Sequence, residues 1–401
     1  MAGYAVMNGR ERMARAMVPG RALSDRVPVL CQLALGHYFL NAGRDAVDVW
    51  HDSEAFAAAL VTMQRRYRFD GILVNLPGRD PRWREQVDRV EPSHGRRIIR
   101  WRGPYDTIVP PDDNPRVCER ESGRARTVSF DTVDPDRLFY VEPHDLAGVS
   151  YPTAWGFDAQ PAEPGPSFFP PWHWRTLELV RTLAPDVSVH GEVFSPFSQL
   201  VELVGISEAM AALLLQPAKV AACLERLVEG TVVLARGHLS AGADAVLVSS
   251  AYAGGGFLSR DHYSKFVLPF ERAVVEAIKT AAPGAIVYTH TCGAIGDRLD
   301  LMEATGIDGI DTLDPPPLGN VDLRTARQQL GGRLFIKGNV NPVDTVLNGD
   351  AATCYRDGCE RMAIAKPGGR YILSTACSVP PHAPPENILA LTRAAEDHGK
   401  Y

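Results

Sequence analysis

Ala285-Ile-Val-Tyr-Thr-His-Thr-Cys-Gly293 is the stretch that decides the reading. Its first residues form an unbroken apolar, β-branched run, as a strand buried on both faces requires. It then stops at His290, Cys292 and a glycine, polar or reactive residues set at the end of a core strand. Runs of the same character recur at 27–32, 69–75, 187–194, 244–250, 285–290, 309–313, 334–338 and 371–375. Amphipathic, helix-like stretches lie between most of them, at 53–67, 217–241, 260–281, 295–304, 323–330, 351–365 and 385–397. Asp261 and Asp322 are placed to cap two of these helices. Such alternation belongs to a parallel sheet covered by helices. Eight units predict an α/β fold, a (β/α)8 TIM barrel, with residues 1–401 as a single domain.

The chain has 401 residues, more than the roughly 250 that such a barrel needs. The surplus falls at 94–171, which is rich in Pro, Gly, Arg and Asp, with short strand-like pieces at 97–101, 126–130 and 138–141. A structureless loop of that length does not suit a compact domain. A β-rich insertion is therefore expected, with hairpins over one barrel mouth and mobile tips near 110–116 and 161–165.

Composition narrows the function classes. The 42 basic and 48 acidic side chains leave a net charge of −6, without the positive field that a nucleic-acid backbone requires. With 45% hydrophobic and 22% charged residues, the chain is globular rather than disordered. No apolar run is long enough to span a membrane. Arg10, Arg12, Arg15 and Arg21 are not followed by the apolar core of a secretory signal. Seven cysteines, an odd number in a long chain, argue for free thiols rather than a disulfide framework. A cytoplasmic protein with small-molecule partners is expected, with no nucleic acid and no membrane.

In a parallel barrel the chemistry sits where strands end. His290 and Cys292, two apart in an extended chain, point to the same side. The last strand runs into Ser374-Thr-Ala-Cys-Ser-Val-Pro380 and delivers Cys377 to the same mouth. A cysteine after a strand is ordinarily a small hydrophobe, and one His-x-Cys is a weak motif. All three at strand ends make a His/Cys/Cys set for Zn2+, with a coordination position left open for catalysis. Cys31, Cys118, Cys223, Cys354 and Cys359 fall in strand, helix or insertion patterns and read as packing or surface.

Other strand-end residues surround this set. Glu192, in Val189-His-Gly-Glu-Val-Phe-Ser-Pro196, reads as a general base, a displaceable fourth ligand or a plain ion-pair partner. Asp311 and Asp314 flank a strand end ahead of the stiff Pro315-Pro-Pro317 turn, and one of the two is placed to hydrogen-bond His290. In Phe335-Ile-Lys-Gly-Asn-Val-Asn-Pro-Val-Asp344, Gly338 permits close approach of a ligand. Asn339 and Asn341 orient a substrate or cap a turn. Tyr252 and Gly254-Gly-Gly256 form a flexible substrate loop that lacks any phosphate-binding spacing. Tyr151, Trp155, Phe157, Phe168, Phe169, Trp172 and Trp174 wall a pocket or, more ordinarily, fill a core.

Several segments together resemble the uroporphyrinogen decarboxylase superfamily. They are Arg26-Val-Pro-Val29, Ala241-Gly-Ala-Asp-Ala245, Phe266-Val-Leu-Pro-Phe270, Lys337-Gly-Asn-Val-Asn-Pro342, Gly369-Arg-Tyr-Ile-Leu373 and Pro384-Pro-Glu-Asn387. Where true decarboxylases of this superfamily carry an arginine motif after the first strand, this chain reads Leu30-Cys-Gln-Leu-Ala-Leu-Gly-His37. His290, Cys292 and Cys377 instead look like the zinc ligands of the methylcobamide:coenzyme M and related corrinoid methyltransferases. Ala376 and Ser378 replace glycines usual in that branch, and Gly191-Glu-Val-Phe-Ser-Pro196 replaces its Gly-Pro-Phe-Thr motif.

The resemblance implies a zinc-dependent methyltransferase that moves a methyl group between a corrinoid on a separate protein and a zinc-activated thiol. Glu192 and Asp311 would be its catalytic residues, and Asn339, Tyr252 and Asp314 its substrate contacts. One alternative is a corrinoid-independent zinc lyase or transferase of specialised metabolism. Porphyrinogen decarboxylation and a non-catalytic corrinoid-binding barrel stand behind it. The oligomeric state stays open, a homodimer among the options.

Overall fold

The computed structural model describes residues 7–124, 128–142, 164–165 and 167–401. Its first strand is β1 (Gly71–Val74), followed by β2 (Val87–Ser93), β3 (Arg96–Trp101), β4 (Tyr105–Val109) and β5 (Arg116–Glu119). Then come β6 (Ser188–Phe194), β7 (Ala245–Ser249), β8 (Val287–His290), β9 (Gly309–Thr312), β10 (Phe335–Val340) and β11 (Tyr371–Thr375). Seven strands make one sheet in the order β1-β6-β7-β8-β9-β10-β11, every adjacent pair parallel. Strands such as Ala-Val-Leu-Val-Ser in β7 are buried along their whole length, as helices packed on a parallel sheet require.

Residues 27–33 close the ring between β11 and β1. On one side the Asp70 N–H donates to Val29 O; on the other, the Leu30 N–H donates to Leu373 O and the Leu373 N–H to Pro28 O. The expected first strand is therefore a stave of isolated bridges, Val29 to Leu373 and Leu33 to Val379. Pro28 has no N–H to extend a ladder.

Inside the ring, Leu30, Leu73, Leu247, Tyr288, Phe335 and Ile372 pack as a core separate from the larger one between strands and helices. Met13, Ala16 and Met17 of the helix Gly9–Met17 join this inner core, so the helix plugs the end of the barrel opposite the strand C-termini. Arg12 anchors the plug through Asp70 at 2.5 Å and Asp25 at 2.6 Å.

The helices Ser53–Tyr67, Leu323–Leu330 and Ala351–Ala365 span the expected residues, and Asp322 caps the second. The stretch 260–281 is two helices, Arg260–Phe266 and Leu268–Ala281, because Pro269 cannot continue the first. Its cap is Ser259, whose hydroxyl accepts the His262 N–H, and not Asp261. The 295–304 stretch holds only the short helix Leu299–Glu303. Among the described residues, no single helix is long and apolar enough to cross a membrane.

The insertion carries an antiparallel sheet, β2-β3-β4-β5, that starts at Val87 rather than 94. Trp83, Trp101 and His51 stack beneath it. Of the other expected strands, Phe130 opens a short 3-10 turn instead. Residues 138–141 form no ladder, because they lie flat on the helix Pro217–Ser240. There the Phe139 carbonyl is so close to Gly230 that a Cβ would sit 1.9 Å away. The expected mobile tip at 110–116 is docked: the Asp112 carboxylate meets His382 Nε2 at 2.8 Å, and the Asp112 backbone rests on Gly36. Residues 125–127 and 161–163, parts of another expected strand and tip, lie outside the described residues.

A candidate metal centre at the barrel mouth

Two chain segments converge where the strands end. His290 is the last residue of β8, Cys292 follows two residues on, and Cys377 lies two residues beyond β11. Cys292 Sγ is 3.4 Å from His290 Nε2 and 3.5 Å from Cys377 Sγ. All three donor atoms lie within 4.8 Å of one another. Tetrahedral zinc, with Zn–S near 2.3 Å and Zn–N near 2.0–2.1 Å, sets its ligand atoms roughly 3.5–3.8 Å apart. The spacing and the soft donor set both fit that ion. The remaining five cysteines are free thiols dispersed elsewhere.

Buried charge stands behind the triad. Asp311, at the end of β9, places Oδ2 3.3 Å from His290 Nδ1. Lys337 of β10 donates to both Asp311 oxygens, at 2.8 and 2.7 Å. Burial alone raises an aspartate, but Lys337 and His290 outweigh it and hold Asp311 below its usual range. Burial lowers His290, but Asp311 and Cys377 prevail and push it up to about 10. Cys377, which accepts hydrogen bonds from Cys292 and His290, is drawn well below the ordinary thiol range. Cys292, held beside that thiolate and buried, is pushed well above it.

Glu192 lies within β6, two residues before its end and not at the strand end expected from sequence; burial raises it to about 7, against the pull of His290 and a hydrogen bond from Ser249. The Gly293 N–H donates to Asp314 Oδ2 at 2.6 Å; burial raises that carboxyl to about 6. Asn339 donates from Nδ2 to Leu313 O at 2.8 Å. The Tyr252 hydroxyl donates to Glu202 at 2.5 Å, and its phenol lies within the field of Cys292.

The remaining sequence candidates are structural. Asn341 caps the turn Pro342–Leu347 by accepting from Val343 and Asp344. Gly338 answers to a neighbouring strand and not to a ligand, since a Cβ there would meet Thr312 O at 2.5 Å. The glycine loop is pinned rather than free: Gly255 donates to Ala294 O, and a Cβ on Gly254 would fall 2.1 Å from Cys292 O. Phe168, Phe169 and Trp174 stack on Phe139, Tyr140 and His173 as core, with Trp172 packed against it. Tyr151, Trp155 and Phe157 lie outside the described residues.

Two residues escaped sequence reasoning. Lys337 carried a signal, a lone cation inside an apolar strand. Arg298 carried none, yet it is buried and donates to Ala253 O and Leu258 O, fastening both ends of the glycine loop.

The uroporphyrinogen decarboxylase family model matches residues 163–398. The chain belongs to the uroporphyrinogen decarboxylase family. Its relatives include a methylcobamide:CoM methyltransferase, MtbA, of Methanosarcina acetivorans, 25% identical over 56% of this chain and 63% of that protein. They also include the uroporphyrinogen decarboxylases of Dichelobacter nodosus, 30% identical over 40% of this chain and 43% of that protein, and of Erythrobacter litoralis, 29% identical over 82% and 84%. The chain thus spans less than two thirds of the first two relatives. A solved methyltransferase from Methanosarcina mazei superposes with a TM-score of 0.70 over 98% of this chain and 99% of that one; at 16% identity this is a likeness of fold. Relatives of both activities share the barrel, so choosing between them falls to the mouth.

Proposed function

We propose that the chain is a zinc-dependent methyltransferase that moves a methyl group between a corrinoid, presented by a separate protein, and a thiol or similar soft nucleophile. The observation that carries this reading is the convergence of His290, Cys292 and Cys377 at zinc-ligand spacing. Likeness to a methylcobamide:CoM methyltransferase supports it. Against decarboxylation stands the arginine-free segment 30–37.

His290, Cys292 and Cys377 would hold the ion. Zinc bound there supplies an open position at which a thiol substrate is kept as its thiolate at neutral pH. The chain's own residues do the rest. Asp311 accepts a hydrogen bond from the Nδ1–H of His290, which leaves Nε2 directed at the cysteines and fixes the tautomer. Lys337 keeps Asp311 ionised for that task. Glu192, raised to about 7 by burial, is poised to accept a substrate proton near neutral pH. The same poised carboxylate favours one second reading, a corrinoid-independent zinc lyase or transferase, because bond cleavage needs a proton acceptor that is neutral or charged as the step demands.

Elemental analysis tests the metal first. About one zinc per chain is expected for the purified protein and none for Cys377→Ala; zinc-free wild type would sink both readings. Demethylation of methylcob(III)alamin by added thiols, followed by absorbance, then separates them: turnover supports the methyltransferase, and its absence with zinc present favours the second.

A further inference from the structure

Two acceptor oxygens are buried without a hydrogen-bond partner: Asp314 Oδ1, on the residue that holds the Gly293 N–H beside Cys292, and Asn339 Oδ1, on the residue that holds Leu313 O just before Asp314. Their residues are 2% and 0% exposed, and burying an unpaired polar group is unfavourable unless something occupies it. Neither side chain can rotate its way out. Asp314 is tethered by the Gly293 N–H to Oδ2, beside Cys292. Asn339 is tethered through Nδ2 to Leu313 O, so its free end is the carbonyl and not the amide nitrogen. Asp314 also lies within the field of Cys377.

Carboxyl groups outnumber cations among the side chains described at the mouth, where Lys337 and His290 both face Asp311. Glu192, Asp311 and Asp314 are carboxylates, and Glu202 stands behind Tyr252. Lys337 spends its ammonium on both oxygens of Asp311. Arg79 donates from Nε to the Trp50 carbonyl and sets its guanidinium over the Trp50 ring. The segment 30–37 has no arginine.

We infer that the substrate carries a hydrogen-bond-donating cation, an ammonium group or its equivalent, recognised by Asp314 and Asn339, and that anionic thiols are disfavoured. A carboxylate and a carbonyl with free acceptor capacity match N–H donors and repel a sulfonate or carboxylate. This inference rests on the metal reading above and specifies the substrate class for that site.

The test compares two thiols of similar size, cysteamine and 2-mercaptoethanesulfonate, on the metal-loaded protein. Cobalt(II) in place of zinc reports thiolate ligation through its charge-transfer band, and calorimetry on the zinc form checks the affinities. Cysteamine is expected to bind about tenfold tighter or more, equivalent to about 1.4 kcal/mol. Asp314→Asn should weaken cysteamine and bring the two thiols to within about twofold while metal stoichiometry is kept. Equal or preferred binding of the sulfonate by the wild type overturns the inference and leaves the metal reading standing. Failure of both thiols to alter the cobalt spectrum overturns the reading of the metal as a thiol-activating site and this inference with it. The wild-type comparison needs no variant, so a poorly folded Asp314→Asn cannot shield the inference.

Discussion

His290, Cys292 and Cys377 hold two protons that a metal must displace. His290 is raised to about 10 and Cys292 is pushed above the ordinary thiol range, while Cys377 is already drawn down to thiolate. Zinc binding near pH 7.5 should therefore release about two protons per chain. Calorimetric titration in buffers of different ionisation enthalpy reads that number directly, and a value near zero would contradict the assignment. Cys292→Ala and Cys377→Ala should each abolish stoichiometric zinc with little change in far-UV circular dichroism. Asp311→Asn, which leaves the ligands intact, should weaken zinc by roughly 10- to 100-fold in a chelator competition. The triad was legible in the sequence because strand ends are legible and soft ligands are few. Lys337 was not, since nothing in a linear string says which buried carboxylate a lysine will meet.

The loop between β7 and the helix Arg260–Phe266 is the element that shapes this mouth. Gly254 has no Cβ where the Cys292 carbonyl passes, and Arg298 holds Ala253 and Leu258. Gly254→Ala should push the Cys292 segment aside, costing roughly 1–3 kcal/mol and measurably loosening metal binding. Unchanged zinc affinity in that variant would show that the loop does not set the site. Elements with strong periodicity or unbroken apolar runs, such as Ala351–Ala365 and β7, could be read from sequence to within a residue or so. Those governed by distant partners could not. The helix Gly9–Met17 forms as a plug because Asp70 awaits Arg12, and 138–141 lies flat because Gly230 lets it approach. Neither cause is local.

At the scale of the whole molecule, buried acids make stability depend on pH. Glu271, in the helix Leu268–Ala281, faces Ser250 and Tyr263, and burial raises it from 4.5 to about 7. Between those values only the unfolded chain gives up the proton, so its contribution is whole below about 4.5 and is lost as pH climbs through 7. Glu271→Gln should thus stabilise the protein more at pH 8 than at pH 5, by roughly 2 kcal/mol, in paired urea melts. A gain of equal size at both pH values would rule this out. The ring of strands has one seam, where residues 27–33 meet 371–379. On the ribosome the first of these segments emerges early and the second late, and Cys377 travels with the second. Until residue 377 has emerged, a nascent chain can offer a metal His290 and Cys292 alone, so on the proposed reading zinc waits for the seam to zip and the third ligand to arrive.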